Sequence, residues 1–412
     1  MYRKVEESQT LLINTQAKAL EAQNKEIIKF GFGQSPFLPP PNVINALKES
    51  AHRKEYSSVQ GDLNLRKLMS AFHLAHNGLK VDHDNILVAP GSKILLYTIM
   101  LAFEKADVLI PVPSWVSYAP QAILAGHHLI KVNTSFEERW RIHPSTIEEA
   151  IKNKKHKATI LILNYPGNPD GLTYSPSELQ ELAVVARAHE ILVISDEIYG
   201  LLTFNHPHES FANYYPERTI TTTGLSKWCG AGGWRLGAAF LYDGIEKEFK
   251  QALIGIGSET YSCAPTPLQM AAKEAYKSYK DTEDYLHKQT DILQKIGLYC
   301  AEKLNAVHIG VHTPQGGFYI FLDFSMHREA LSKKGISSSN KLCEVLLTET
   351  GVMILPGTAF GFSNDYLGAR LAFVDFDLPN KKEEFMLTTD CPRVIKGINL
   401  IVNWFATLKI LS

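Results

Sequence analysis

The lysine at position 227 stands where a strand-like run of threonines gives way to a glycine-rich loop. Its amine could form a Schiff base with an aldehyde, and the glycines around 230–233 would let the backbone approach a ligand closely. Arg235 follows just before a second apolar run, and its planar guanidinium suits a phosphate. An aldehyde that carries a phosphate describes pyridoxal 5′-phosphate (PLP). A strand, a turn and a surface lysine would produce the same run, so the rest of the chain must decide.

Asp196 ends an apolar run, and Tyr199 follows it three residues later. A carboxylate at the tip of a buried strand is costly unless a cation meets it, and a protonated pyridine nitrogen would serve. Tyr199 could donate to the phenolic oxygen of the same ring. The alternative is that Asp196 only caps the start of a following helix.

Other strand ends also carry residues suited to a ligand. Asn168, in a turn-rich loop, could donate to a ring oxygen or bind a substrate carboxylate. The run Gly91, Ser92 and Lys93 precedes an apolar helix, whose backbone N–H groups could bind an anion. Trp115 could stack on a flat ring. A tight loop, an ordinary helix start and a core tryptophan are the plain alternatives.

Short apolar runs alternate with helical patterns between about residue 85 and residue 245. We predict strands at Asn85–Ala89, Val108–Ile110, His128–Val132, Ala158–Leu163, Ile191–Ser195, Thr219–Thr223 and Leu236–Leu241. Ser175 before Pro176, with Glu178 at the third position, is typical of a helix start. Repeated strand–helix units predict an α/β fold with a mostly parallel sheet flanked by helices, which binds ligands at the carboxyl ends of its strands.

The chain has 412 residues, enough for about two domains. A proline run at 39–41 and a change of pattern near residue 296 suggest the boundaries. We predict an N-terminal arm at 1–45 that contributes to a small domain, a large domain at 46–295 and the rest of the small α+β domain at 296–412. Strands are expected in the small domain near Gly317–Phe324 and Ala369–Phe373.

The composition excludes several classes of protein. The formal net charge is −1, from 42 basic and 43 acidic side chains, so nothing predicts binding to nucleic acid or to an anionic membrane. The apolar run Ile94–Phe103 is shorter than the ~20 residues of a membrane span. Five cysteines without a C-x-x-C pair predict neither a disulfide framework nor a zinc site. With no apolar signal core at the N-terminus, a cytoplasmic location is expected.

Three pairs of histidines lie close together in the sequence, but no H-E-x-x-H motif or third ligand accompanies them. We therefore expect no metal site and interpret them as exposed loop or helix-surface residues. The pairs are His73 and His76, His127 and His128, and His206 and His208.

Taken in order, these motifs resemble the class I/II aminotransferase family, PLP-dependent enzymes of fold type I, over nearly the whole chain. Any one motif is weak, but their joint order and spacing are specific. The matching runs are Gly33–Phe37, Tyr56 with Gly61 and Leu65-Arg66, Gly91–Lys93, Trp115, Asn168-Pro169, Asp196 with Tyr199, Ser226-Lys227 with Arg235, Gly316–Tyr319, Pro356–Gly361 and Arg370-Leu371.

The resemblance implies a role for each matching residue. Lys227 would form the Schiff base and shuttle the proton, Asp196 would bind the pyridine nitrogen, and Trp115 would stack on the ring. The ring oxygen would be bound by Tyr199 and Asn168. The phosphate would be held by Gly91, Ser92, Lys93, Arg235 and Tyr56. The substrate would be bound by Gly33, Asn168 and Arg370. Tyr56 would act from the other subunit of a homodimer, and Arg370 would clamp the substrate carboxylate.

Transamination between an L-amino acid and a 2-oxo acid, by a ping-pong mechanism, is the expected reaction. A PLP-dependent carbon–sulfur lyase on the same fold is the alternative, because fold does not fix reaction type. A binding protein that keeps the fold without turnover is a third possibility, which the presence of Lys227 disfavours. Many relatives carry serine or threonine three residues before the lysine, where this chain has Gly224, so one phosphate contact is in doubt. The physiological substrate stays open.

Overall fold

The computed structural model describes residues 9–277, 279–378 and 384–408, so the first eight residues of the predicted N-terminal arm lie outside the described part. The strands are β1 (Ile28–Lys29), β2 (Ile86–Ala89), β3 (Ala106–Val112), β4 (His128–Asn133), β5 (Ala158–Asn164), β6 (Leu192–Asp196), β7 (Thr219–Gly224), β8 (Gly237–Phe240), β9 (Tyr319–Asp323), β10 (Val352–Met353), β11 (Leu355–Pro356) and β12 (Gly368–Ala372). The α-helices are α1 (Gln9–Glu21), α2 (Pro41–Ser50), α3 (Leu63–Asn77), α4 (Ser92–Leu101), α5 (Tyr118–Leu124), α6 (Pro144–Ile151), α7 (Pro176–Ala188), α8 (Lys247–Thr260), α9 (Thr266–Lys277), α10 (Tyr279–Asn305), α11 (Arg328–Lys333), α12 (Ser339–Thr350), α13 (Leu387–Asp390) and α14 (Pro392–Ala406).

The main sheet contains, within the described residues, seven strands in the order β2-β8-β7-β6-β5-β3-β4. Strands β4, β3, β5, β6 and β7 are parallel, whereas β8 is antiparallel to both of its neighbours. Strands β6 and β7 are buried along their whole length, as expected for a sheet covered on both faces. The predicted α/β fold with a mostly parallel sheet is confirmed, and all seven predicted strands of this region are present.

Helix α7 begins as its sequence predicts. Ser175 Oγ accepts a hydrogen bond from the Glu178 backbone N–H (3.2 Å), and Glu178 Oε2 accepts one from the Ser175 N–H (2.6 Å). This capping box stabilises the first turn, and Leu179, Leu182 and Ala186 then bury one face of the helix. In the described ranges, no helix has both the length and the apolar character that crossing a membrane requires.

The C-terminal part of the chain forms two smaller sheets. Strands β11, β12 and β9 form an antiparallel sheet, and β12 carries Arg370. Strand β1 pairs in parallel with β10, with Ile28 opposite Val352, so the N-terminal segment is joined to the C-terminal part. The boundary predicted at residue 296 falls inside helix α10. The domain limits stay a prediction.

The expectation of exposed histidines is wrong for His73, His127 and His208, which are buried. Burial lowers the pKa of His73 to about 3, so this ring is neutral. A ring nitrogen of His127 lies 2.8 Å from the Met100 carbonyl oxygen, and one of His208 lies 2.8 Å from the Glu197 carboxylate. For His127 and His208 these hydrogen bonds make the burial possible, and residue spacing alone does not reveal them.

Candidate active site

A cavity of about 440 Å³ lies at the carboxyl ends of β3, β5, β6 and β7. It is lined by most of the residues singled out in the sequence, namely Gly33, Ser92, Lys93, Trp115, Asn168, Asp196, Tyr199, Lys227, Arg235 and Arg370. Tyr56 is 88% exposed and is not part of the lining of this chain's cavity. Residues that are far apart in the sequence meet here because parallel strands end at the same edge of the sheet.

Asp196 is a buried carboxylate without a cationic partner. Tyr118 donates a hydrogen bond to its Oδ2 (2.7 Å) and Thr222 donates one to its Oδ1 (3.1 Å). No lysine, arginine or histidine of the described residues forms an ion pair with it, and burial raises its pKa to about 6. The carboxylate also accepts a hydrogen bond from the Ile198 backbone N–H. The 3₁₀ turn that follows, Gly200–Leu202, has Tyr199 at its N-cap, so Asp196 is not the N-cap of that turn.

Lys227 follows β7 and extends its amine toward the N-terminal segment. Its Nζ donates a hydrogen bond to the Gly33 carbonyl oxygen (2.9 Å) and lies 5.4 Å from the ring centroids of both Tyr199 and Phe318. The Tyr199 hydroxyl donates to that of Tyr319 (3.1 Å). Aromatic rings therefore border the Lys227 amine, which is one of two lysine amines among the described residues that line the cavity.

One end of the cavity carries two cations side by side. Ser92 begins helix α4, so backbone N–H groups of its first turn are available to an anion. Burial and the nearby charge of Arg235 lower the pKa of Lys93. Gly91 precedes the helix with a φ of 95°, a backbone conformation that residues with a side chain rarely adopt, which explains why glycine is needed there. Within the described chain neither cation has a carboxylate partner, so this end is suited to a phosphate.

Steric crowding explains the glycine at position 224. A Cβ there would lie 2.6 Å from the carbonyl oxygen of Leu236, because β7 and β8 pack closely at Gly224. A serine or threonine would not fit without movement of the backbone. Ser226, the residue before Lys227, lines the cavity and brings a hydroxyl to the same region.

Arg370 is a buried guanidinium that lacks a carboxylate. Its Nη1 donates to Asn168 Oδ1 (2.9 Å) and its Nη2 donates to the Gly31 carbonyl oxygen (2.6 Å). Among the described residues, its Nε has no hydrogen-bond partner. Burial lowers the pKa of Arg370, which lies over the rings of Tyr319 (4.5 Å) and Phe360 (5.0 Å). An incoming carboxylate would supply the missing charge.

Comparison with known proteins agrees with this geometry. Residues 25–371 match the family model described as "Aminotransferase class I and II". The chain belongs to this family. It is 32% identical to an aspartate aminotransferase of Bacillus sp. (strain YM-2), over 86% of this chain and 89% of that protein. It is 31% identical to an asparagine–oxo-acid transaminase of Streptococcus mutans, over 87% and 90% of the two chains.

A solved structure gives the same result for the fold. The aspartate aminotransferase from Thermus thermophilus with maleate superposes on this aminotransferase with a TM-score of 0.84 and 25% identity, covering 98% of this chain and 100% of that one. The family resemblance, the fold type I architecture and PLP as cofactor are thereby confirmed. The protein is a PLP-dependent aminotransferase, and its substrates are an amino acid and a 2-oxo acid.

The residues of the aminotransferase cavity fit PLP. The Asp196 carboxylate lacks a cation that a protonated ring nitrogen would supply, and Lys227 offers the amine that the PLP aldehyde requires. The Arg235 guanidinium and the backbone N–H groups at the start of α4 suit its phosphate. The group therefore satisfies charges that the protein alone leaves uncompensated.

Sequence reasoning missed four residues of the aminotransferase site: Tyr118, Asn164, Thr222 and Tyr319. Asn164 ends strand β5 and its Nδ2 donates to the Asp196 carbonyl oxygen (2.7 Å), so the strand-end rule that found Asp196 could have found it too. Tyr118, Thr222 and Tyr319 depend on strand register and on contacts between distant elements, for which the sequence carries no local signal.

Proposed function

We propose that Lys227, Asp196 and Tyr199 are the catalytic residues of this aminotransferase. The bound cofactor supplies an aldehyde for covalent attachment and a ring that withdraws electrons from the substrate Cα. Asp196 would hold the ring nitrogen in its protonated form, and Tyr199 would donate to the ring oxygen together with Asn168. Lys227 Nζ would hold and move the proton that leaves Cα.

The remaining cofactor contacts that we propose lie around the phosphate and the ring face. The Ser92 and Lys93 backbone N–H groups, beside Gly91, and the Arg235 guanidinium would hold the phosphate. Trp115 would stack on the ring. The Arg235 guanidinium and the N–H groups at the N-terminus of helix α4 support this end of the cavity as the phosphate site.

The observation that carries the proposal for the substrate is the unsatisfied Nε of buried Arg370. A guanidinium that uses only two of its five N–H donors, both on neutral partners, is prepared for a carboxylate. We propose that Arg370 binds the α-carboxylate, with Asn168 beside it and Gly33 along the substrate. Replacing Arg370 with lysine should raise KM for the amino acid and for the oxo acid, because an ammonium cannot reproduce the planar fork.

We propose further that the amino acid is dicarboxylic, as the names of the relatives from Bacillus sp. and Thermus thermophilus suggest. The Lys93 side chain supports this, because it lines the cavity, lies 5.4 Å from the Trp115 ring and pairs with no carboxylate of the described residues. The test is a panel of amino acids mixed with the PLP-loaded enzyme, with the 2-oxo acid product quantified.

Aspartate or glutamate should give the highest kcat/KM in that panel. Lys93→Met should lower kcat/KM for these two substrates and leave that for phenylalanine at the wild-type value. Equal losses for acidic and aromatic substrates would mean that Lys93 acts on the cofactor alone. An enzyme that prefers phenylalanine throughout would contradict the dicarboxylic substrate.

We also propose a two-fold dimer in which Tyr56 of one subunit contacts the phosphate bound in the other. The 88% exposure of Tyr56 in the single chain supports a residue that acts on a partner. A mixed dimer of one Lys227→Ala chain and one Tyr56→Phe chain tests this, since a two-fold interface exchanges residues reciprocally. With exchange, one site is intact and binds PLP like wild type. If Tyr56 instead acts within its own subunit, the site that keeps Lys227 has the weaker PLP affinity of Tyr56→Phe.

We also propose domain limits and a location for the protein. The pairing of β1 with β10 supports an arm at 1–45 that joins the small domain at 296–412, beside the large domain at 46–295. The absence of a disulfide among the five cysteines, all of them described residues, supports a cytoplasmic location. Limited proteolysis and cell fractionation would test these two proposals.

A further inference from the structure

The loop at 164–171 links two parts of the active site that carry opposite charges. At its start, Asn164 Nδ2 donates to the Asp196 carbonyl oxygen (2.7 Å), and Asn164 Oδ1 accepts from the Asn168 backbone N–H (2.8 Å). In its middle, Asn168 Oδ1 accepts from Arg370 Nη1 (2.9 Å). A shift of this loop would therefore move the partner that orients the Arg370 guanidinium.

The end of the same loop is fixed by an ion pair between Asp170 and Arg141, whose side chains are only 5% and 3% exposed. Asp170 Oδ1 also accepts from the Leu172 backbone N–H (2.9 Å). The guanidinium donates from Nε to the Arg139 carbonyl oxygen (3.1 Å) and lies 4.6 Å from the Tyr174 ring centroid. Both charged groups are thus held on several sides.

The Asp170 carboxylate also closes the turn itself. A Cβ on Gly167 would lie 2.0 Å from Asp170 Oδ1, so the carboxylate packs directly against the loop backbone. The Gly167 N–H donates to the Leu172 carbonyl oxygen (2.9 Å), which brings the two ends of the turn together. Displacement of Asp170 would open the turn at Gly167, the residue next to Asn168.

A second cavity, of about 30 Å³, lies on the far side of this loop and is lined by both Asp170 and Arg141. Tyr118, Asn164 and Asn168 line this cavity and also the large one. These three side chains form a thin wall, with the ion pair on one side and the proposed cofactor and substrate site on the other. Because the ion pair and these three side chains line the same small cavity, a displacement of the pair can reach them without an intervening layer of side chains.

We propose that Arg141 and Asp170 are positioning residues that hold Asn168, and through it Arg370, in the orientation that receives the substrate carboxylate. The proposal rests on the function proposed above, in which Arg370 binds that carboxylate. Neither residue touches the large cavity, so their effect is on substrate binding and not on the reacting atoms.

The chemistry of buried ion pairs makes the proposal testable. Removing one partner leaves an uncompensated buried charge, which must find water or a new partner and so displaces its surroundings. Replacing both charges with neutral groups of similar volume is much better tolerated. Loss of one partner should therefore disturb Asn168, and loss of both should restore it.

The experiment compares Asp170→Asn, Arg141→Met and the double variant in the PLP-loaded enzyme. Asparagine keeps an oxygen for the Leu172 N–H, and methionine keeps most of the length of arginine. Each single variant should raise KM for both substrates and the Kd of maleate by about ten- to a hundredfold, the effect of a misplaced binding group. The Kd of PLP should rise much less than that of maleate, because Asn168 is only one of several proposed contacts of the cofactor, and the double variant should regain most of the maleate affinity.

The matched control is Glu217→Gln, which breaks an ion pair with Arg187 whose side chains are 47% and 45% exposed. It should change none of these constants. The proposal is overturned by a single variant with wild-type maleate affinity, by equal weakening of PLP and maleate, or by a double variant no better than the singles. If one single variant does not fold, the maleate affinities of the other single variant and of the double variant still test the proposal.

Arg370→Lys, measured beside them, separates this proposal from the proposed function. Unchanged maleate affinity in Arg370→Lys would refute the carboxylate clamp itself. Weakened affinity in Arg370→Lys, with unaffected Asp170 and Arg141 variants, would refute only the positioning role.

Discussion

Asp196→Asn should stabilise the enzyme without its cofactor while weakening cofactor binding. In the apoenzyme the Asp196 carboxylate is buried with neutral donors only, the Tyr118 and Thr222 hydroxyls and the Ile198 N–H, and burial raises its pKa from 3.8 to about 6. At about 1.4 kcal/mol for each pKa unit, ionising this group costs the apoenzyme about 3 kcal/mol of stability above pH 6. Asparagine keeps the shape and avoids the charge.

The sign of the pH dependence follows from the raised pKa. Below pH 3.8, Asp196 is neutral in both the folded and the unfolded chain, so wild type carries no penalty. Stability of the wild-type apoenzyme is lost relative to the variant as the pH rises through about 6, because the folded protein must give up a proton that it holds tightly. The difference should therefore be small near pH 4 and reach its full value above pH 7.

The assay is urea unfolding of both apoproteins, followed by fluorescence at several pH values, and then repeated with PLP. The variant should be more stable without PLP at pH 7.5, and the order should reverse when PLP is added, because only wild type gains a charge pair with the ring nitrogen. A difference that does not change between pH 4 and pH 8 would refute the buried charge as its cause. Equal PLP affinity in both proteins would refute Asp196 as the ring partner.

Three further substitutions test other parts of the site. Lys227→Ala should retain PLP without covalent attachment and lose turnover; borohydride reduction of wild type should label the peptide with Lys227, and a label on another lysine would exclude this assignment. Tyr118→Phe removes a donor from the Asp196 carboxylate, so fluorescence titration should show PLP affinity lower by about tenfold; unchanged affinity would mean that Thr222 alone suffices. Gly224→Ser should lower the melting temperature, because its Cβ meets the Leu236 carbonyl oxygen at 2.6 Å, and a more stable variant would contradict the packing.

Local patterns were enough to predict the scaffold of this enzyme. A capping box such as Ser175 with Glu178 involves neighbours in the sequence, and buried strands such as β6 are continuous apolar runs. Both are patterns of residues that are close together in the sequence, and the position at which each strand ends follows from such patterns. The sequence therefore predicts a ligand site at those ends, and Asp196 and Asn168 both line the cavity.

The partners of those residues could not be predicted in the same way. Tyr118 and Asp196 are 78 residues apart, and Asn168 and Arg370 are 202 residues apart. Such pairs depend on strand order and on how the two smaller sheets pack against the main one. Buried histidines such as His208 were missed for a related reason, since a distant carboxylate rather than a neighbour makes their burial possible.

The cavity is lined by two opposite charges, each of which has neutral hydrogen-bond partners. Asp196 is supported by hydroxyl donors and Arg370 by carbonyl and amide oxygens, so each has neutral partners that orient it without cancelling its charge. Had the two formed an ion pair, neither would attract a ligand, and binding would first have to break the pair. Neutral support leaves an anion for the cofactor ring and a cation for the substrate carboxylate, at the expense of stability in the apoenzyme. Each uncompensated charge thus destabilises the apoenzyme and favours binding of its ligand. Removal of either charge should therefore stabilise the protein and impair its function.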